Sequence, residues 1–276
     1  MVLAAYMVTG FGVASVYAVG MLRGRRDRYH RLGLLIPFAV GAVCAPLQIG
    51  IGDTAARAIA GQQPAKFAAM EYVVHTRTHV AEYLGGVLLN GRVVGGLRIP
   101  DLDSLLVGFS PGTRVVGLDS VPSAFRPPFP TLIHLSFDLM VGIGFALVVW
   151  SAWCAWAWWR QRGLPTLRRS TTPFLVGVAV SGVAATLAME AGWVVTEVGR
   201  QPWIVYKVEL VSQAVTTSGG VTFTLVAVLV IYPLLTAATI ATLLVMARRW
   251  RKEPDASAPG LPYGPAGEPQ PSEVGP

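Results

Sequence analysis

Five long stretches without charge, separated by short basic connectors and by one long polar segment, set the pattern of this chain. No Asp, Glu, Lys or Arg occurs in 1–22, 32–52, 139–159, 170–189 or 210–247. Each window is about as long as a helix needs to cross a hydrocarbon core of roughly 30 Å. The pattern predicts transmembrane helices at 2–22, 32–51, 131–159, 173–197 and 219–247. Helices satisfy their own backbone hydrogen bonds in lipid, and the sequence shows no series of short alternating strands of the kind a barrel requires. The expected fold is therefore all-α: a polytopic bundle of five spans with a long extracytoplasmic loop. Residues 1–51 carry the first two helices, 52–130 the loop, 131–248 the last three helices, and 249–276 a Pro-, Gly-, Ser- and Glu-rich tail expected to be disordered in the cytoplasm.

Composition agrees with this division, since 53% of the 276 residues are hydrophobic and only 13% are charged. The net charge of +7 is a topological signal. Arg23, Arg25, Arg26, Arg28 and Arg31 follow the first span, Arg160, Arg162, Arg168 and Arg169 the third, and Arg248, Arg249, Arg251 and Lys252 the last. These alternate connectors belong on the cytoplasmic side of a cell membrane, which puts 52–130 outside and leaves nucleic-acid binding no place. The first span has no basic residue ahead of it, so a retained helix is expected in preference to a signal peptide. No polar segment precedes Val2, and the helix is expected to begin upstream of this sequence. Its mixture of Gly, Ala, Ser and Thr suits close packing within a bundle. Cys44 and Cys154 both fall inside spans and read as two buried apolar residues.

Candidate chemistry lies on and beside the loop. Gly52 and Asp53 read as a stop and cap, Ala55–Ala60 as a short helix, Gly61 to Pro64 as a break, and Ala65–Val74 as a second helix starting near Pro64. Lys66 and Glu71 on that helix are about 140° apart, and either lie on a solvated surface helix or contact different parts of one ligand. His75 and His79 have the spacing of two metal ligands on one helix face, but no third ligand is evident. The remainder, to Pro130, reads as a loop with short strands or turns. In the third span, His134 lies near the outer surface, Asp138 a turn further in, and Met140 just beyond. A carboxylate at that depth is costly unless it faces a partner. Trp150, Trp153, Trp156, Trp158 and Trp159 mark the inner interface. In the fourth span, Glu190, Trp193 and Glu197 share one helical stripe, which predicts a buried polar site, and Arg200 is placed to pair with a carboxylate or an anionic cofactor group.

The motif GDTAARAIAGQQPAKFAAMEY, followed by a membrane Met and then by EAGWVVTEVGRQPW, resembles the second half of subunit I of the cytochrome bd quinol oxidases. The likeness extends to about Arg248, and the loop resembles that family's short-loop branch. The resemblance implies that Lys66 and Glu71 serve quinol oxidation and that Met140 is an iron ligand of the low-spin haem b. It implies that Glu197 lies at the high-spin haem b iron, with Trp193 and Glu190 near the haems and Arg200 near a propionate. It further implies haem d, oxygen as electron acceptor, and a second membrane subunit, subunit II, as partner. The chain resembles the last five of about nine spans. The histidine partner of Met140 is expected just ahead of Met1, at the head of the first span of this sequence, and the other haem histidine and the proton-path acids in the family's first four spans. The alternative is a haem-free, non-catalytic remnant or quinone-binding module. A small transporter is disfavoured because no inverted pair of broken helices is visible.

Overall fold

The computed structural model describes residues 1–161 and 172–252. It falls into two compact units, Met1–Ala214 and Val215–Pro276. Five helices are long and apolar enough to cross a membrane. In the first unit these are α1 (Val2–Leu22), α2 (Arg28–Gln62), α5 (Pro130–Gln161) and α6 (Thr172–Val198); the second holds α8 (Val221–Lys252). The short helices are α3 (Pro64–Met70), α4 (Leu102–Gly108) and α7 (Val211–Ala214). Three two-stranded antiparallel ribbons pair β1 (Glu82–Leu84) with β4 (Leu97–Ile99), β2 (Val87–Leu89) with β3 (Arg92–Val94), and β5 (Trp203–Val205) with β6 (Glu209–Leu210).

α1 packs against α2 and α6, and α5 against α6 and α2. Small residues bring these helices together. A Cβ on Gly10 would lie 2.7 Å from the backbone of Pro37 and Gly41 on α2, and one on Gly182 of α6 would meet Ser15 and Gly12 of α1 at 2.5–3.0 Å. With no hydrophobic force between helices in lipid, such backbone approach is what supplies their dispersion energy. Phe11, Phe38, Leu147, Phe174 and Leu175 fill the core around these contacts. A second core, built on Phe67, Met70, Val80, Val115 and Ile133, joins the loop to the bundle end. In α8 the hydroxyls of Thr236, Thr239 and Thr242 each donate to the carbonyl four residues back, which lets polar side chains sit in an apolar helix.

The helices match the expected spans, with one correction of consequence. α2 does not stop at Gly52 and Asp53 but continues to Gln62, and the expected helix at Ala55–Ala60 is its final part. Asp53 forms an ion pair with Arg57 one turn on, so it stabilises the helix it was expected to end. The break falls at Gln63, and Pro64 opens α3 at its first position. α3 then ends at Met70, not Val74, because Tyr72 takes a left-handed conformation with φ 52°. Trp150 differs from the other tryptophans of its run: its ring packs over Gly177 of α6 and stacks on Trp153. Cys44 and Cys154 are free and buried as expected. The tail expected from 249 is helical as far as Lys252, the end of α8; the rest of it, from 253 onward, and the connector arginines at 162, 168 and 169 lie outside the described residues.

Gly10→Val should force the α1–α2 contact apart and cost at least about 1–3 kcal/mol. Thermal unfolding of the detergent-solubilised protein measures this. Gly12→Ala, whose Cβ would meet nothing within 4 Å, should leave the midpoint unchanged or raised.

Candidate functional site at the loop end of the bundle

The loop is fixed to α5 by two side chains. His134, fully buried, points its Nδ1 at the carbonyl oxygen of Met70 at the end of α3. Since a carbonyl only accepts, Nδ1 is the protonated nitrogen. One turn along, an oxygen of Asp138 accepts a hydrogen bond from the amide of Gly85 at 2.5 Å and lies 3.3 Å from Nε2 of His134. Gly85 has φ 71°, a conformation that glycine adopts without strain. The Tyr72 ring stacks on His134 with centroids 3.8 Å apart, and its hydroxyl donates to the Gly86 carbonyl. Asp138 thus has the partner that its depth in the helix demands.

The loop side of this clamp carries the two expected charged residues, and neither is solvated. Lys66 is 8% exposed and Glu71 5%. The surface-helix reading is overturned by the second core: every residue of α3 after Pro64 is buried. They face different surroundings. The aliphatic stem of Lys66 runs against Gly199, where a Cβ would lie 3.4 Å from the side chain. Burial holds the Lys66 ammonium below its ordinary value, the charge of Arg200 adds to this, and Glu197 opposes it. Arg200 in turn lies 3.7 Å from Glu197. Lys66 lines a small cavity with Gln63, Phe125, Arg200 and Trp203. Next to it, a groove of about 420 Å³ lies between Pro64, Phe125, Trp203, Tyr206 and Lys207. Trp203 stacks on Phe125 at 5.0 Å. The ribbon that carries Trp203 was not anticipated from the sequence.

Glu71 caps the end of α3 and faces acids. Its Oε2 and both carboxyl oxygens of Asp103 are buried without a hydrogen-bond partner, and Asp103 is 1% exposed. Among the described residues none forms an ion pair with Glu71, Glu82 or Asp103. Burial first, then the charges of Asp103, Glu82 and Asp138, push the Glu71 carboxyl well above its ordinary value. Burial and Glu82 push Asp103 up to about 8, and burial and Asp138 raise Glu82. Carboxyls placed so bind protons more tightly than solvated ones. Asp103 and Glu82 drew no notice in the sequence, because neither sits in a motif. Asp103 is buried only where α4 folds against the segment leading into β1, where the Val80 amide donates to the Ser104 hydroxyl at 2.9 Å.

The other expected residues divide. Met140 is half-buried on α5, and its sulfur packs on α6 where Gly192 has no side chain; a Cβ there would lie 2.9 Å from it. A thioether held in this way fits the iron ligand that the resemblance implies. Glu190, Trp193 and Glu197 do share a stripe of α6, but it is exposed, with Trp193 at 64% and the Glu197 side chain at 63%. The predicted buried polar site is not found because this end of α6 packs through the opposite side, Ala188, Ala191 and Val195. His75 and His79 do not share a helix face: His75 lies 3.4 Å from Asp119 and His79 3.1 Å from Asp101.

Five membrane-length helices, with a loop that buries its charges against the ends of two of them, define a multi-pass helical membrane protein with a site at one end of its bundle. The chain belongs to the cytochrome bd terminal oxidase subunit I family, whose model matches residues 1–251. In Bacillus subtilis (strain 168) it is 31% identical over 256 residues to a protein named as a cytochrome bd menaquinol oxidase subunit I, covering 90% of this chain and 56% of that one. A cytochrome bd ubiquinol oxidase subunit 1 of the same organism is 26% identical over 248 residues, covering 84% and 52%. The solved bd oxidase from Geobacillus thermodenitrificans superposes with a TM-score of 0.76 at 33% identity, over 90% of this chain and 56% of that one. The chain thus spans about half the length of the relatives it matches.

Asp103 also makes stability depend on pH. A carboxyl whose pKa rises from 3.8 unfolded to about 8 folded contributes fully below the unfolded value, and that contribution is lost as pH rises through the folded one. Asp103→Asn should therefore match the parent protein near pH 4 and unfold at higher temperature than it near pH 8. Parallel melts at the two pH values measure the difference.

Proposed function

We propose that this chain forms the quinol-oxidising half of a bd-type quinol:oxygen oxidoreductase in a bacterial cell membrane. In this reading the loop faces outward, the C-terminus is cytoplasmic, and subunit II completes the complex. The observation that supports it best is the burial of Lys66 and Glu71 together on α3, a seven-residue helix clamped to α5 by the helix turn that precedes Met140. Two opposite charges on one short helix, each desolvated and neither paired with the other, suit a substrate that must lose protons and become anionic in passing.

The groove beside Lys66 offers the aromatic walls of Phe125, Trp203 and Tyr206 to a quinol ring. Lys66 and Arg200 put positive charge where the headgroup becomes an anion, and burial of Lys66 strengthens that interaction. Glu71 accepts a proton. Its raised proton affinity makes it a stronger base than a solvated carboxylate. Met140 would hold one face of the low-spin haem b. Glu197, with Glu190 and Trp193, would stand toward the high-spin haem b and haem d on the exposed side of α6. When bound, these haems accept single electrons and reduce oxygen to water. Proton release on the loop side, against uptake from the cytoplasm, charges the membrane.

In membranes holding the native complex, Lys66→Ala and Glu71→Gln should each lower quinol-dependent oxygen uptake by about 10²–10⁴-fold. Reduced-minus-oxidised haem spectra should stay intact in both. Met140→Leu should remove the low-spin haem b band while leaving the polypeptide in the membrane. Wild-type uptake in both loop variants would refute the reading, and an unaltered spectrum in Met140→Leu would remove Met140 from it.

A further inference from the structure

A base as strong as Glu71 has to be emptied before the next turnover, and its own surroundings do not open to water. Glu71 is buried at the end of α3. Asp103, equally buried, stands at the start of α4 with two unpartnered oxygens. Glu82 is half-exposed at the start of β1. The fold brings these acids to one place. β1 pairs with β4 so that Glu82 stands opposite Ile99. The chain turns back at Asp101, φ 63°, to begin α4, and the Val80–Ser104 hydrogen bond ties that helix to the residues leading into Glu82. We propose that Asp103 and Glu82 carry the proton released at Glu71 out of the protein, Asp103 receiving it inside the fold and Glu82 delivering it to water.

Each step moves one proton and no other atom. Glu71 in its acid form gives a proton to the Asp103 carboxylate, Asp103 gives it to the Glu82 carboxylate, and Glu82 gives it to water; Asp103 and Glu82 end as they began, and Glu71 ends as the carboxylate that accepts the next proton. The order follows burial, from Glu71 and Asp103 to the half-exposed Glu82, and burial raises the proton affinity of each of the three. Among the other charged groups on the surrounding elements, Arg98 of β4 stands opposite Tyr83 on the exposed side of the ribbon and forms no ion pair with these acids, and the following are engaged elsewhere. Arg57 of α2 pairs with Asp53 and donates to the Leu106 carbonyl, His79 faces Asp101, and Asp138 of α5 is held by Gly85 and His134. Tyr72 spends its hydroxyl on Gly86. Among the described residues no cation forms an ion pair with any of the three acids, which is the condition for carboxyls to act as carriers and not as ion pairs.

The proposal rests on the quinol-oxidation reading, and the test separates the two. In the native complex, Asp103→Asn should lower kcat for quinol oxidation at least about tenfold with KM unchanged. It should also remove a protonated-carboxyl C=O band from the reduced-minus-oxidised infrared difference spectrum. Asp103→Glu should restore both. Glu82→Gln should lower kcat less, and added formate or acetate should rescue it, since Glu82 meets water. Full activity in Asp103→Asn across the pH range, or in Glu82→Gln should the Asp103 variant fail to assemble, overturns the relay. If Lys66→Ala and Glu71→Gln are inactive while these variants are unaffected, the relay alone fails. If all four are fully active, the site reading fails with it.

Discussion

The site depends on the clamp that α5 closes on the loop. His134 reaches the last carbonyl of α3, and Asp138 holds an amide at the start of the β2–β3 ribbon, so one helix turn fixes two separate parts of the loop. Both are hydrogen bonds between buried or half-buried groups, where a lost partner costs more than a formed bond supplies. The clamp is therefore strongly specified: a loop displaced from α5 would strand an imidazole and a carboxylate in apolar surroundings. The position of α3, and with it of Lys66 and Glu71, follows from two side chains that belong to a membrane helix.

That anchoring explains how one short helix serves two opposed electrostatic environments. On one side Lys66 meets Arg200 and Glu197 at the end of α6; on the other Glu71 meets acids from α4, β1 and α5. Burial moves the two groups toward each other, lowering the proton affinity of the lysine and raising that of the glutamate. Each comes closer to neutrality than it would be in water. The enclosing residues are largely Ala, Phe, Val and Ile, so the shift comes from the packing of the second core more than from any one charged neighbour.

Much of this was legible in the sequence, and the reasons differ by element. The spans follow from the absence of charge, a signal that depends on no tertiary contact, and the structure reproduces them. Lys66, Glu71, Met140, Glu197 and Arg200 could be singled out because they sit in recognisable motifs. Asp53 misled because Asp after Gly is a common stop, and its pairing with Arg57 a turn away outweighed that tendency. Asp103 and Glu82 were invisible, since their importance lies in burial by segments distant in sequence. The stripe on α6 was right in its periodicity and wrong in its direction. A helical pattern gives the faces of a helix but not which face its neighbours choose.

The continuation of α2 through Asp53 has a mechanical meaning. A helix of 35 residues is about 52 Å long, against a hydrocarbon core of roughly 30 Å, so about two-fifths of it extends beyond the lipid tails. The break at Gln63 and the start of α3 stand at the end of that rod, with no pliable linker between them and the bilayer. Changes in membrane thickness are therefore taken up by helix tilt or by local deformation of the lipid. The height of Lys66 above the bundle is a property of the polypeptide and not of the lipid around it.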